Sequence, residues 1–471
     1  MFFRRFFEEG LAQASYLVGC DATGAAMVVD ANRDVAQYLV AAEAEKLRIT
    51  HVTETHIHAD FVSGSRELAR RAGAQLLLSA EGGRDWQYAF AKGDDATMLR
   101  DRDSFVLGRV RVDVMHTPGH TPEHLAFLVT DLASSDRPVG LFSGDFVFVG
   151  DVGRPDLLEK AAKIADTMET AAHTLFHTLH RFRELPDFVQ LWPGHGAGSA
   201  CGKALGAMPQ STVGYEKVAN WGLTTLDEDA FVREVLAGQP DPPRYFAEMK
   251  RINQDGPPML GKMPEPTRSD AALLTPELIA GAIVIDARAA ARFAESHVPG
   301  TLNIPLNKSF PTWVGWLVAY DRDVHLVVAS AAEAARAARE MAMIGLDRVA
   351  GWFAPDALEN WVHAGRPLES VAQMSTAELA ARISTDDVTI VDVRSDDEWD
   401  HGHLPGALHI PLGSLGLRVA ELPRQRPIVV QCQSGDRSAI AASVLLDLGW
   451  RDVFNLRGGL SEWMREGRTV L

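Results

Sequence analysis

The sequence predicts an α/β protein built from several layered domains. Three observations carry that prediction. Apolar, β-branched runs alternate with helix-like stretches through residues 1–255, joined by short links. Histidines and aspartates recur just after those runs, where strand ends in an α/β sheet line a crevice. Beyond a proline-rich passage, one pattern occurs twice at a constant offset of 106 residues.

Bulk properties bound the rest. A chain of 471 residues exceeds one core, so about two to four domains are expected. Hydrophobic content of 46% and charged content of 23% suit a soluble globular protein. A net charge of −17 argues against nucleic acid or an anionic membrane as a general partner. No apolar run approaches the ~20 residues of a membrane span. Met1-Phe2-Phe3-Arg4-Arg5 is broken by charge and carries no small-residue cleavage site, so an opening strand is expected there. Cys20, Cys201 and Cys432 are far apart and odd in number, which is no disulfide framework. A reduced, cytoplasmic protein is expected.

The elements follow in order. Residues 15–20 and 25–30 read as a hairpin turning at Asp21-Ala22-Thr23-Gly24. Residues 35–47 read as a helix, followed by a strand into His56. A helix over 65–72 and a strand over 75–79 continue the alternation. Strands are expected at 110–115, 139–142 and 188–191, and a mostly helical passage at 157–179. His173 and His177 lie on that helix four apart; with no glutamate or strand end beside them, they read as surface or packing residues. Asp255-Gly256-Pro257-Pro258 and Pro264-Glu265-Pro266 cannot continue a helix or central strand and mark a domain boundary.

After that boundary, Asp286 and Asp392, His297 and His403, and Pro305 and Pro411 share the 106-residue offset. A period this long means two copies of a domain, since solenoid repeats run ~20–50 residues. The expected domains are residues 1–255, 268–367 and 372–471.

Two groups of residues carry chemistry. The first begins with Thr55-His56-Ile57-His58-Ala59-Asp60-Phe61 and continues with His120, Asp145 and His195, each after a strand-like run. Imidazoles and carboxylates converging on one point suit zinc, iron, manganese or nickel. The second is Cys432-Gln433-Ser434-Gly435-Asp436-Arg437-Ser438, between an apolar strand and a helix over 439–448. Backbone amides at a helix N-terminus favour a thiolate and bind anions, and Arg437 adds positive charge. In the first copy Ser330 stands where Cys432 stands, and no glycine-bearing loop follows. Ser330 is 15 residues before Gly345, against 17 from Cys432 to Gly449, so that loop is expected to be shortened and the copy inactive, a spacer or docking domain.

The strand-end histidines and aspartates, in this order, resemble the metallo-β-lactamase superfamily, and the cysteine loop resembles the rhodanese active site. The implied fold is an αββα sandwich followed by two rhodanese-like α/β domains. Most hydrolytic members of the superfamily hold two metals with H-x-H-x-D-H, but Phe61 replaces the last histidine here. The second site would keep Asp60, His195 and a shared Asp145, which supports a dinuclear-zinc thioester hydrolase poorly; that hydrolase with a sulfurtransferase tail remains the alternative. The persulfide dioxygenase branch uses one iron. That resemblance implies one Fe(II) per chain on His56, His120 and Asp145, with His58, Asp60 and His195 orienting ligands and holding water. Assignment of His58 as a ligand stays open.

The order of domains resembles fused persulfide dioxygenase–sulfurtransferases. It implies oxidation of a small thiol persulfide (glutathione, coenzyme A or similar) by O₂ to sulfite, then thiosulfate formation at Cys432, with Arg437, Gly435 and Ser438 around it. Arg154, in Gly150-Asp151-Val152-Gly153-Arg154, reads either as an anchor for a thiol cofactor's carboxylate or as an ordinary arginine. Cys201, six residues past His195, reads as a sulfur relay or as a buried packing residue. Related enzymes imply a homo-oligomer. A third reading, a sulfur-carrier or sensing scaffold, requires that His56 and His120 be dispensable.

Overall fold

The computed structural model describes residues 1–160 and 167–471. The chain divides into two compact units, one built on Met1–Met263 and one on Pro264–Met341 and Leu346–Leu471.

The first unit holds two six-stranded mixed sheets. The first runs in chain order: β1 (Phe2–Glu8), β2 (Gln13–Gly19), β3 (Ala25–Val29), β4 (Arg48–Thr53), β5 (Gln75–Ser79) and β6 (Thr97–Leu99). The second is β7 (Ser104–Leu107), β8 (Val110–His116), β9 (Leu125–Asp131), β10 (Gly140–Gly144), β11 (Gln190–Pro193) and β12 (Ser211–Thr212). Because side chains alternate along a strand, Tyr16 and Val18 enter the core between the sheets with Val112, Phe127, Phe142 and Trp192. Leu17 and Val28 point the other way, onto Tyr38 and Leu68 of the helices covering the first sheet. Leu175, Leu179 and Phe182 cover the second sheet from helix Met168–Arg183. The result is the αββα sandwich.

The opening strand, the hairpin, and the elements over 65–72 and 75–79 lie where the sequence places them. The helical passage over 157–179 resolves into Leu157–Lys160 and Met168–Arg183; positions 161–166 lie outside the described residues. β11 begins at Gln190, two residues later than its apolar run. Among the described residues no helix is long and apolar enough to cross a membrane.

The second unit contains the repeat as two parallel sheets: β14–β13–β15–β16 and β17–β21–β20–β18–β19. The first comprises β13 (Ile283–Asp286), β14 (Leu302–Asn303), β15 (Val324–Val327) and β16 (Val349–Phe353). The second comprises β17 (Ala372–Met374), β18 (Thr389–Asp392), β19 (Leu408–His409), β20 (Ile428–Gln431) and β21 (Val453–Leu456). Parallel strands buried on both faces account for the continuous Val/Ile runs. The repeat extends to its ion pairs. Arg288 Nη2 donates to Asp286 Oδ2 at 2.6 Å and to the Ser296 carbonyl at 2.9 Å; Arg394 Nη2 does the same to Asp392 Oδ2 and the Gly402 carbonyl, both at 2.7 Å. Each pair locks the loop that leaves its strand, β13 in the first copy and β18 in the second.

Candidate metal centre and thiol loop

The strand ends deliver the first group. His56, His58 and Asp60 follow β4, His120 follows β8, Asp145 follows β10 and His195 follows β11. All six are buried. One ligand atom from each of His56, His120 and Asp145 lies within 4.8 Å of the others. His120 Nε2 is 3.5 Å and His56 Nε2 4.0 Å from Asp145 Oδ2.

The tautomers follow from the outer contacts. His120 Nδ1 donates to the Arg154 carbonyl at 3.1 Å, leaving its Nε2 lone pair facing inward. Thr55 Oγ1 donates to Asp30 Oδ2 and therefore accepts from His56 Nδ1 at 3.0 Å, with the same consequence. Burial and the neighbouring imidazoles push His56 well below its ordinary value, and burial lowers His120 too. Neutral imidazoles are the ligating form. Neither carboxylate oxygen of Asp145 has a hydrogen-bond partner, although the residue is fully buried. A buried carboxylate with no partner is costly, and two imidazoles with one carboxylate are a fitting donor set for a divalent metal. Close packing maintains the arrangement: a Cβ on Gly194 would stand 2.6 Å from Asp145 Oδ1, and one on Gly153 1.9 Å from the Asp145 carbonyl.

The remaining residues divide. His58 turns Nε2 to Asp30 Oδ1 at 3.1 Å. Burial works against a charge there, but Asp30 overrides it and His58 is raised to about 9. Its Nε2 is thus committed to Asp30, and its Nδ1 has no hydrogen-bond partner. Phe61 packs against that ring, with centroids 4.4 Å apart. Asp60 and His195 do not stand alone beside Asp145: their ligand atoms and that of Cys201 lie within 4.8 Å of one another, all buried. The Gly196–Ala200 loop returns the Cys201 thiol to Asp60 and His195, with Asp145 Oδ1 3.6 Å from His195 Nε2 on the other side.

Arg154 also differs from the cofactor-anchor expectation. It is fully buried and already holds a carboxylate: Nε and Nη2 donate to Asp156 at 2.8 and 2.6 Å, and Nη1 donates to the Ala200 carbonyl. Its carbonyl orients His120, so its contribution to the site is positional. His173 and His177 both meet Glu228, at 2.7 and 3.0 Å, as side chains of a partly exposed cluster.

Sequence inspection missed Asp30, His124 and Asp156. Asp30 follows β3 and accepts from Thr55 and His58; its place beside the β4 loop was a usable signal. His124 Nε2 accepts the Asp145 amide at 3.1 Å, a contact that no spacing announces.

In the second unit, Cys432 sits at the end of β20, fully buried. Its Sγ accepts from Gly435 N at 3.2 Å, Ser438 N at 3.4 Å and Ser438 Oγ at 3.5 Å. Gly435 has φ of 102°, which only glycine adopts readily, and helix Asp436–Asp447 begins directly after it. That helix starts three residues earlier than the sequence suggested, which brings its N-terminal amides to the sulfur. Arg437 is not a free charge: both its terminal nitrogens bond Glu398, a partner the sequence did not reveal.

The first copy has no such cradle. Helix Ala331–Met343 begins immediately after Ser330. Ser330 Oγ accepts from Glu333 N at 3.2 Å, and Glu333 Oε2 accepts from Ala329 N at 2.8 Å. The nucleophile's position is occupied by a reciprocal helix cap, and the loop is shortened. A cavity of about 970 Å³ adjoins the cysteine loop, lined by Ser434, Asp436 and Arg437 and by Arg288, Arg292 and Arg336 of the first copy.

Comparison with known proteins agrees with both halves. The Metallo-beta-lactamase superfamily profile matches residues 9–195, and the Rhodanese-like domain profile matches residues 375–466. A crystal structure of a metallo-beta-lactamase from Staphylococcus aureus subsp. aureus COL is 41% identical, with a TM-score of 0.70, over 75% of this chain and 99% of that one. A sulfurtransferase from Allochromatium vinosum is 36% identical over 102 residues, 21% of this chain and 95% of its own. The mitochondrial persulfide dioxygenase ETHE1 of Bos taurus is 27% identical over 231 residues, 48% of this chain and 77% of its own. The chain belongs to the metallo-β-lactamase superfamily, with a rhodanese-like domain following the superfamily domain.

Proposed function

We propose that the chain is a persulfide dioxygenase–sulfurtransferase. The first unit oxidises a small thiol persulfide to sulfite, and the last domain combines sulfite with a second persulfide to give thiosulfate. The observation that carries this reading is the pairing, in one chain, of a buried two-histidine, one-carboxylate group with an amide-cradled cysteine. The likeness to a persulfide dioxygenase and a sulfurtransferase supports it.

His56, His120 and Asp145 would hold one Fe(II), which supplies the binding of O₂ and substrate thiolate side by side. The chain's own work is orientation and exclusion. Thr55 and the Arg154 carbonyl fix the two imidazoles in their ligating tautomers. His124 holds the Asp145 backbone. The overall change takes one persulfide, one O₂ and one water to thiol, sulfite and two protons.

In the second step the Cys432 thiolate attacks the outer sulfur of R–S–SH. The new bond joins Cys432 Sγ to that outer sulfur, the S–S bond of the persulfide breaks and the thiolate RS⁻ leaves. Sulfite then attacks that outer sulfur, Cys432 leaves as thiolate, and thiosulfate is released. Gly435 N, Ser438 N and Ser438 Oγ stabilise the sulfur anion at both ends of the cycle. The arginines of the adjoining cavity suit anionic substrates.

The deciding experiment is oxygen uptake by anaerobically iron-loaded protein given glutathione persulfide, with metal content measured on the same sample. Uptake lost in His120→Ala is expected. The second reading, a zinc thioester hydrolase, is favoured by Cys201 joining Asp60 and His195; thioester cleavage without O₂ uptake would establish it instead. Retention of all sulfur chemistry in a His56→Ala, His120→Ala protein would establish the scaffold.

A further inference from the structure

We infer that a second cavity beside the cysteine loop, next to the arginine-lined one, binds the thiol carrier of the persulfide and selects carriers whose arm bears secondary amides. The inference rests on the sulfurtransferase half of the proposed function and stands whichever reaction the first unit performs.

This cavity has a volume of about 500 Å³, within the ~300–1,000 Å³ of small-ligand pockets. It lies between the two copies of the repeat. Helix Ala290–Glu295 of the first copy forms one wall, and Ser434, Gly435 and Asp436 of the cysteine loop form another. Gly435 N donates to Cys432 Sγ, so a ligand held here sits against the nucleophile's cradle. Ala290, Ser434 and Asp436 also line the arginine cavity, so the two cavities meet at the loop. Their charges differ: the larger has four arginines, whereas this one has Arg457 against Glu295 and Asp436. Its remaining polar groups call for donors. Asn303, ending β14, is fully buried, and Asn455, on β21, is 7% exposed. Asn303 Nδ2 donates to the Asp286 and Arg288 carbonyls at 2.8 and 3.0 Å, and Asn455 Nδ2 donates to Gln373 Oε1 at 3.1 Å. Gln373 Nε2 turns away to the Val371 carbonyl. Both asparagine oxygens are left without a hydrogen-bond partner among the described residues.

The alternatives are weaker. A seam that merely joins the copies would pair these oxygens with protein donors, because a buried acceptor without a partner costs stability. A site for sulfite needs donors and positive charge, whereas this cavity offers acceptors and near-neutral walls. What fits is an arm whose amide N–H groups reach the two carboxamide oxygens while its apolar stem lies along Phe293, Val371 and Ala439. Peptide thiols and thiols of the pantetheine type share that chemistry. The outer sulfur of the bound persulfide then meets the loop: Cys432 Sγ bonds to it, the S–S bond of the persulfide breaks, and RS⁻ leaves with its arm still in the cavity. Sulfite reaches the loaded cysteine from the arginine side.

The test is anaerobic loading of the full chain, read as one-sulfur mass gain on the peptide bearing Cys432 over a series of donor concentrations. Without O₂ the first unit consumes no persulfide. The donors are glutathione persulfide, pantetheine persulfide, 2-hydroxyethyl persulfide, which has no amide, and thiosulfate. At least one amide donor should half-saturate at a several-fold lower concentration than 2-hydroxyethyl persulfide; which of the two does so first tells a peptide thiol from a pantetheine arm. Asn455→Leu should raise the half-saturating concentration of that donor about fivefold relative to thiosulfate, as loss of one hydrogen bond predicts, the change falling on half-saturation and not on the limiting rate. Ala291→Trp, at an exposed position on the cavity wall, should do the same by filling the space, and it decides the matter if Asn455→Leu lacks the parent's thermal transition. Half-saturation that ignores the amide, or a rise that is equal for thiosulfate, would overturn the inference. Failure of the wild type to load from any donor would overturn the sulfurtransferase reading itself.

Discussion

Arg437 and Glu398 meet in a two-pronged ion pair, Nη1 to Oε2 and Nη2 to Oε1, both at 2.6 Å. The positive charge nearest the thiol loop is thereby held in place and half neutralised. Burial opposes the Glu398 charge, but the guanidinium overrides it and holds the carboxyl down at about 2, from an ordinary 4.5.

A depressed carboxylate contributes stability that is present above its ordinary value and lost as pH falls through the folded one. The stability gap between wild type and Glu398→Gln is therefore expected to be constant above about pH 5 and to close between there and about pH 2. Both partners are a quarter to a third exposed, so solvent screening limits the gap to about 1 kcal/mol. Thermal unfolding of the two proteins across that window checks it; a gap that ignores pH removes the pair from the account.

Ser438→Ala takes one of three donors from the Cys432 sulfur. A hydrogen bond to a charged group contributes ~1.5–3 kcal/mol, and a sulfur acceptor at 3.5 Å belongs at the weak end. Sulfur loading onto Cys432 should slow by about tenfold, read as the rate of one-sulfur mass gain after mixing with glutathione persulfide. Cys432→Ser should not load, and its end product should be sulfite in place of thiosulfate. Unchanged loading in Ser438→Ala would mean that the backbone amides alone hold the anion.

Asp156→Asn leaves the Arg154 guanidinium buried without its carboxylate. Breaking a buried pair costs ~3–5 kcal/mol, so a large fall in Tm of the first unit is expected. Because the Arg154 carbonyl orients His120, metal affinity should fall as well, by ~10–100-fold. Replacing both partners, Arg154→Met with Asp156→Leu, should recover much of the stability, since no buried charge is left alone and Lys160, the second partner of Asp156, is exposed enough to be solvated. A double variant as unstable as Asp156→Asn would mean that the pair's geometry, not its charge balance, supports the loop.

The fold was legible because its signals are local. Strand runs and the Asp255–Pro266 passage each sit in a short stretch of chain, and the 106-residue offset emerges when two such stretches are laid side by side. Histidines at strand ends were legible for the same reason. What the sequence hid is whatever depends on a return path. Cys201 reaches Asp60 only because the Gly196–Ala200 loop folds back, and Glu398 reaches Arg437 across 39 positions. Arg154 reads two ways from its motif, as an anchor or as an ordinary arginine, and Asp156, two residues on, already occupies its guanidinium. Phe61 has no ligating atom, and the third donor atom beside Asp60 and His195, the Cys201 thiol, comes from elsewhere in the chain.

The cavity beside the thiol loop gives the first copy a testable role. Four arginines line it, Arg288, Arg292, Arg336 and Arg437, against Glu333 and Asp436, within a chain of net charge −17. Sulfite and thiol persulfides are anions, so a locally positive wall raises their concentration near the loop. Arg288 is committed to Asp286 and holds the strand end, whereas Arg292 and Arg336 pair with Glu295 and Glu340 on their own helices and are far more exposed, which makes them the informative positions. The Arg292→Gln, Arg336→Gln protein should show a KM for sulfite raised several-fold, with kcat nearly unchanged, because neither residue touches Cys432. The wild-type KM should rise with salt, and the variant's should rise less, since exposed charges are screened over ~10 Å at 0.1 M. Equal salt dependence in both proteins would show that the first copy adds nothing to anion capture, and would return it to the role of a spacer.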